Sequence, residues 1–355
     1  MTDDVRFDVR GGFGWITLDR QRALNALTLE VIRGMQKHLD GWAENPKVGA
    51  ILVEGAGEKA FCAGGDVVAV RRSRLEDGKD GAPTRFMLEF FGEEYRLNRT
   101  ISEFPKPYVA LMDGVTMGGG VGISVHGTFR VVTERTLFAM PETGIGLFPD
   151  VGGGWFLPRC PGEIGTYLAL TGVPVKAADC LYAEAATHYV PSDKIDALRD
   201  ALADLPSGDE LPDAIAAVLG KFSRSIGDAP LAEHREVIDA CFKYDSVEEI
   251  LAALREDGSA FAGKTADLLE TRSPTSLKMT LELMRRGARC ASLAEDLENE
   301  FALVQSFLAG TDFFEGVRAL LVDKDRAPKW SPASLDAVGS EMIEAYFSGD
   351  GKAML

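Results

Sequence analysis

From Val5 to Arg10, and again over residues 14–19, the chain carries strand-like patterns with Gly11-Gly12 between them. Two such runs joined by a glycine turn predict a β-hairpin. Thr28 stands where a helix N-cap belongs, and the helix it opens is expected to reach about residue 44, where Asn45-Pro46 stops it. Residues 48–54 form a short apolar run, consistent with a buried strand. A glycine-bearing loop follows, and a helix is expected to begin near Asp66. Residues 73–83, rich in charge and glycine, predict a loop. Residues 85–101 have helical periodicity, broken by Pro105-Lys-Pro107. Tyr108–Met112 reads as a strand, Gly118-Gly-Gly120 as a turn and 121–126 as a helical segment. Strands are expected again at 129–133 and Leu137–Ala139.

From about Gly162 the pattern changes. Strand-like runs become scarce, and helical patterns alternate with proline, glycine and polar breaks. In one of them Ser273 is a good N-cap and Pro274 fits the first helical position. Another runs from Leu293 to about Leu308. Residues 207–213 are the best candidate for an internal linker. The expected organisation is an α/β core over residues 1–205 followed by a mainly helical region over 206–355.

Composition narrows the function classes. The chain has 355 residues, 46% of them hydrophobic, and a formal net charge of −17. That charge argues against nucleic acid, which needs clustered Lys and Arg to neutralise phosphates. No run approaches the ~20 apolar residues of a membrane span. The acidic start, Met1-Thr-Asp-Asp4, has neither a secretory nor a transit pattern, so a cytoplasmic protein is expected. Five cysteines and four histidines are scattered without ligand spacing, so neither disulfides nor a metal site is expected.

The candidate chemistry lies in three glycine-rich turns. Glu142 and Asp150 fall within Met140-Pro-Glu-Thr-Gly-Ile-Gly-Leu-Phe-Pro-Asp-Val-Gly-Gly-Gly154, with no basic residue before Arg159. Carboxyls in such an apolar setting have raised pKa values and are candidate acids, bases or nucleophiles. Lys59-Ala-Phe-Cys-Ala-Gly-Gly-Asp66 leads a short strand into a turn that Asp66 can cap, placing the Gly65 amide near a helix start. An ordinary strand-to-helix turn would look the same. Three consecutive glycines at 118–120 lower helix stability by roughly 0.5–1 kcal/mol each, which a close ligand approach or tight helix packing would explain.

These motifs together resemble the crotonase (enoyl-CoA hydratase/isomerase) superfamily, and are most similar to its 3-hydroxyisobutyryl-CoA hydrolase branch. Further matches are Glu93-Glu-Tyr-Arg-Leu-Asn98, Ser273-Pro-Thr-Ser-Leu-Lys278 and Asp312-Phe-Phe-Glu-Gly-Val-Arg-Ala319, so the resemblance covers nearly the whole chain. It implies a ββα spiral core with a helical C-terminal region and an acyl-CoA substrate. It further implies an oxyanion hole from the Gly65 and Gly119 amides and an acyl pocket lined by Glu94. Arg22, Ala23 and Ala63 are the coenzyme A-side candidates.

Hydratases of this superfamily carry two catalytic glutamates. One matches Glu142; where the other belongs this chain has Gly122, and Asp150 replaces a glycine. The swap implies thioester hydrolysis, most readily of 3-hydroxyisobutyryl-CoA in valine breakdown, with Glu142 as nucleophile or base and Asp150 assisting. No metal and no cofactor is expected, coenzyme A being part of the substrate. The expected partner is a small-molecule acyl-CoA, with neither nucleic acid nor membrane, and a homo-oligomer is compatible with this reading. The alternatives are an enoyl-CoA hydratase or isomerase and, in another class, a non-catalytic acyl-CoA-binding protein.

Overall fold

The computed structural model of the chain describes residues 3–78 and 81–351. The chain divides into two compact units, each drawn from three segments. The first takes Met1–Gly65, Leu97–Phe138 and Val175–Pro230; the second takes Asp66–Arg96, Ala139–Pro174 and Leu231–Leu355. These units interleave along the chain, whereas the expected division at 205/206 follows sequence order.

The first unit is built on a six-stranded sheet. Its strands are β1 (Val5–Arg10), β2 (Phe13–Leu18), β3 (Ala50–Gly55), β5 (Tyr108–Met112), β7 (Phe129–Val132) and β9 (His188–Tyr189), hydrogen-bonded in that order. β1 and β2 form the expected antiparallel hairpin, and every later pair is parallel. Its turn needs glycine: Gly11 has φ +55°, and a Cβ there would lie 2.0 Å from the Ala203 carbonyl oxygen. One face of the sheet packs through alternate residues, among them Phe13 and Trp15, Ala50 and Leu52, and Val109 and Leu111. Helices Ile195–Ala203 and Leu211–Phe222 cover it with Leu198, Leu202, Leu211 and Ile215. Leu211 therefore belongs to this core, and residues 207–213 are not a linker between units.

The helix expected after Thr28 is Leu29–Ala43, and the Thr28 hydroxyl accepts from the Val31 N–H. Lys106, in the Pro-Lys-Pro break, donates to the carbonyls of Trp42 and Asn45, the first in the last turn of that helix and the second just after it. A second, three-stranded sheet joins β4 (Ala60–Cys62), β6 (Val115–Met117) and β8 (Leu137–Ala139). β4 and β6 run parallel, so their C-terminal ends deliver two glycine turns side by side.

The second unit is mainly helical. Helix Val67–Asp77 extends into the stretch expected as a loop over residues 73–83. Ser73 is buried and hydrogen-bonded to Thr84, while the Arg74 guanidinium donates to the carbonyls of Gly81 and Ala82. Those tertiary partners hold an extra turn that charge density argued against. Positions 79 and 80 of that expected loop lie outside the described residues. Helix Pro274–Gly287 begins as expected, with the Ser273 hydroxyl accepting from the Ser276 N–H. Helix Leu293–Ala309 follows. Among the described residues, no helix is long and apolar enough to cross a membrane.

Candidate active site

Three carboxyl groups gather in the second unit. Glu142 opens a 3-10 turn, Glu142–Ile145. Gly146, at φ +73°, closes that turn by donating to the Glu142 carbonyl. A Cβ on Gly146 would lie 2.3 Å from the Asp312 carbonyl oxygen, so the turn admits no larger residue without rearrangement. Thr143 anchors the turn further by donating to the Leu170 carbonyl at 3.0 Å. The backbone holding Glu142 is thus fixed, while the residue is only 4% exposed and its Oε2 has no hydrogen-bond partner.

Asp150 sits where the chain turns sharply. Val151 has φ +54° and Gly152 has φ +85°, two successive left-handed residues. For a β-branched valine this conformation is strained by roughly 1–3 kcal/mol. Asp150 is buried, and its Oδ2 accepts a 2.9 Å hydrogen bond from the Tyr95 hydroxyl. Glu94, the residue before Tyr95, is buried too, and its Oε1 has no partner.

The electrostatics follow from this crowding. Burial pushes the Glu142 carboxyl well above the ordinary carboxylate range, with further repulsion from Asp150 and then Glu94. Glu94 is raised well above its usual value by burial and then by Asp150. Burial pushes Asp150 up to about 7, and the Tyr95 hydroxyl limits that rise. Acids so placed cannot all ionise together near neutrality, and their protons belong to the group rather than to one residue. An ionised Glu142 with an unsatisfied oxygen is a strong base or nucleophile because little solvates its charge.

The first unit holds the amide candidates. Gly119 opens helix Gly119–Val125, two residues earlier than expected. The first N–H groups of a helix have no intrahelical acceptor, and here Val121 and Gly122 are the first to donate back, both to Gly118. The triple glycine also meets a packing demand, since a Cβ on Gly120 would lie 2.1 Å from the Cys62 carbonyl oxygen. Gly65 follows Gly64, which has φ +109° and whose added Cβ would sit 3.5 Å from the Gly119 nitrogen. The two glycine turns are therefore neighbours. Asp66 caps the following helix, accepting from Ala69 at 3.1 Å.

The coenzyme A-side candidates cluster beside these turns. The Ala63 N–H donates to the Leu24 carbonyl, and Leu27 donates to Gly64. Asn25 ties the same loop down through the carbonyls of Ala56 and Ala60. Arg22 and Ala23 lie on the 3-10 turn Gln21–Ala23. Arg22 lines a cavity of about 400 Å³ with Leu24, Asn25, Gly57 and Lys59. Lys59 was not singled out from sequence, although it heads the Lys59–Asp66 motif.

Three residues of the acid cluster also went unrecognised. Tyr95 adjoins Glu94 in the chain, but nothing local announces its bond to Asp150. Asp296 and Glu300, both fully buried, sit one turn apart on helix Leu293–Ala309. Their signal was available: both occupy the apolar stripe with Leu293, Leu297 and Val304, where a carboxyl is out of place.

Residues 13–347 match the family described as enoyl-CoA hydratase/isomerase, and the chain belongs to that family. It is 50% identical to the mitochondrial 3-hydroxyisobutyryl-CoA hydrolase of Danio rerio over 350 residues, covering 97% of this chain and 89% of that protein. It is 46% identical to the Homo sapiens protein of the same name over 358 residues, with coverages of 99% and 90%. Among solved structures, a carnitinyl-CoA dehydratase from Mycobacterium thermoresistibile is 44% identical, with a TM-score of 0.90 over 98% of this chain and 97% of that one. An enoyl-CoA hydratase from Rhodobacter sphaeroides is 34% identical, with a TM-score of 0.86 and coverages of 99% and 98%. The fold is thus the crotonase-type α/β fold with its helical C-terminal region. The expectation of a cytoplasmic protein is overturned, because these hydrolase relatives are named as mitochondrial. It had rested on the first few residues, and an N-terminal pattern alone carries no such conclusion.

Proposed function

We propose that this chain hydrolyses the thioester of 3-hydroxyisobutyryl-CoA to 3-hydroxyisobutyrate and coenzyme A. The observation that carries the reading is the second buried acid, Asp150, beside Glu142 in a chain whose near-full-length relatives bear that hydrolase name. Addition of water across a C=C uses acid and base groups flanking that bond, whereas hydrolysis requires attack at the carbonyl carbon.

In this reading the Gly65 and Gly119 amides donate to the thioester oxygen and then to the tetrahedral oxyanion. Glu142 attacks the carbonyl carbon, giving an anhydride that water then opens, or takes a proton from the water that attacks directly. On either route the C–S bond breaks and coenzyme A leaves as its thiol after gaining a proton. Asp150 orients the substrate hydroxyl or the water and assists that proton transfer. Glu94 lines the acyl end. Arg22, Ala23 and Ala63 lie on the coenzyme A side, where Lys59 adds a second cation to the cavity that Arg22 lines. The scheme uses no metal and no cofactor beyond the coenzyme A of the substrate.

A hydratase reading is favoured by the names of the two similar structures. Gly122, standing where hydratases carry their second glutamate, opposes it. A non-catalytic acyl-CoA-binding role would need the glycine turns but not two buried acids. Incubation with 3-hydroxyisobutyryl-CoA and separately with crotonyl-CoA, following free thiol and loss of enoyl absorbance, separates the three. Thiol release from the first substrate is expected. Rapid hydration of crotonyl-CoA without thiol release would refute the hydrolase assignment, and neither signal would favour binding alone.

A further inference from the structure

The glycine turn that follows Asp150 is held by a second acidic pair. Glu300 Oε2 accepts from the Gly152 N–H at 2.9 Å, and Oε1 accepts from the Gly154 N–H at 3.0 Å. Both carboxyl oxygens of one fully buried side chain are thus committed to a single turn. Two N–H groups of one turn, those either side of Gly153, thus converge on one carboxyl. Asp296 packs on the same turn, since a Cβ on Gly154 would lie 2.3 Å from its Oδ1.

We propose that Glu300 is a positioning residue for hydrolysis: its grip on Gly152 and Gly154 fixes the turn that aims the Asp150 carboxyl. Two observations support this. The backbone leaving Asp150 is strained at Val151 and left-handed again at Gly152, so it needs external restraint. Within the turn, Gly153 donates to the Asp150 carbonyl at 2.8 Å, so displacement of Gly152 or Gly154 is passed to Asp150. Burial raises the proton affinity of both acids, pushing Asp296 up to about 7 and Glu300 well above the ordinary carboxylate range.

The proposal rests on the reading that Asp150 takes part in hydrolysis, so Asp150→Asn is measured alongside Glu300→Gln and Glu300→Leu. Glutamine keeps an acceptor for one N–H but turns an NH₂ toward the other; leucine keeps neither. Turnover of 3-hydroxyisobutyryl-CoA and affinity for free coenzyme A are determined on folded protein. Glu300→Leu should lower kcat about 10²-fold, the effect of a misplacement near 1 Å, with a smaller loss for Glu300→Gln and unchanged coenzyme A affinity in both. A purely structural role would lower Tm and leave kcat per folded molecule at the wild-type value, which overturns the proposal. Should Glu300→Leu fail to fold, wild-type kcat in Glu300→Gln has the same force. An inactive Asp150→Asn beside fully active Glu300 variants removes only the clamp. A fully active Asp150→Asn removes the reading of Asp150 and the clamp with it.

Discussion

The Tyr95 hydroxyl donates to Asp150 Oδ2 at 2.9 Å, and both residues are buried. This bond stabilises the ionised form of Asp150 against burial, which drives the group toward neutrality. Burial, followed by the charges of Asp150 and Glu300, raises the Tyr95 hydroxyl well above its usual value, so it stays protonated and remains a donor.

Tyr95→Phe removes that donor with little change of shape. The Asp150 pKa, about 7 in the wild type, should rise further. If the carboxylate is the working form, the acid limb of the kcat profile moves to higher pH and turnover near neutrality falls. A hydrogen bond to a charged group is worth ~1.5–3 kcal/mol, so a loss of roughly 10–10²-fold is expected at pH 7. A limb that stays in place, or moves to lower pH, would show that Asp150 does not act as the carboxylate.

Glu142→Gln keeps the volume of the buried side chain and removes its charge. Coenzyme A affinity should survive while kcat falls by ~10²–10⁴-fold, or further if Glu142 is the nucleophile. Near wild-type turnover in pre-steady-state and steady-state assays would remove Glu142 from the mechanism.

Gly119→Pro tests the amide. Gly119 is the first residue of its helix, a position where proline is tolerated, so the fold should be retained by circular dichroism. Loss of one oxyanion donor lowers turnover by roughly 10²–10³-fold. A folded and fully active variant would show that this N–H does not face the oxyanion.

Asp296 supplies a stability test. Its native pKa of about 7 lies above the ordinary value, so the folded state holds the proton more tightly than the unfolded chain. That contribution is present in full below the unfolded value near 4 and is lost as pH rises toward 7. Asp296→Asn cannot ionise. Its Tm relative to wild type should therefore improve between pH 5 and pH 8. A difference independent of pH in thermal melts would contradict the raised value.

Much of this molecule is written locally in its sequence. Thr28 and Ser273 cap the helices they were expected to cap, and the hairpin turns at Gly11, whose φ of +55° suits glycine. The glycine turns and the acids Glu142 and Asp150 are visible in the sequence one residue at a time, and the resemblance to the crotonase superfamily singled out Gly65 and Gly119 within those turns. Tertiary structure decided the rest. The Tyr95–Asp150 bond joins residues 55 apart, and the Glu300 grip on Gly152 spans 148. It also decided that helix Val67–Asp77 gains a turn from Thr84 and from the carbonyls of Gly81 and Ala82. Sequence periodicity reports which face of an element is apolar, but a carboxyl's proton affinity depends on the burial and neighbours that only packing supplies.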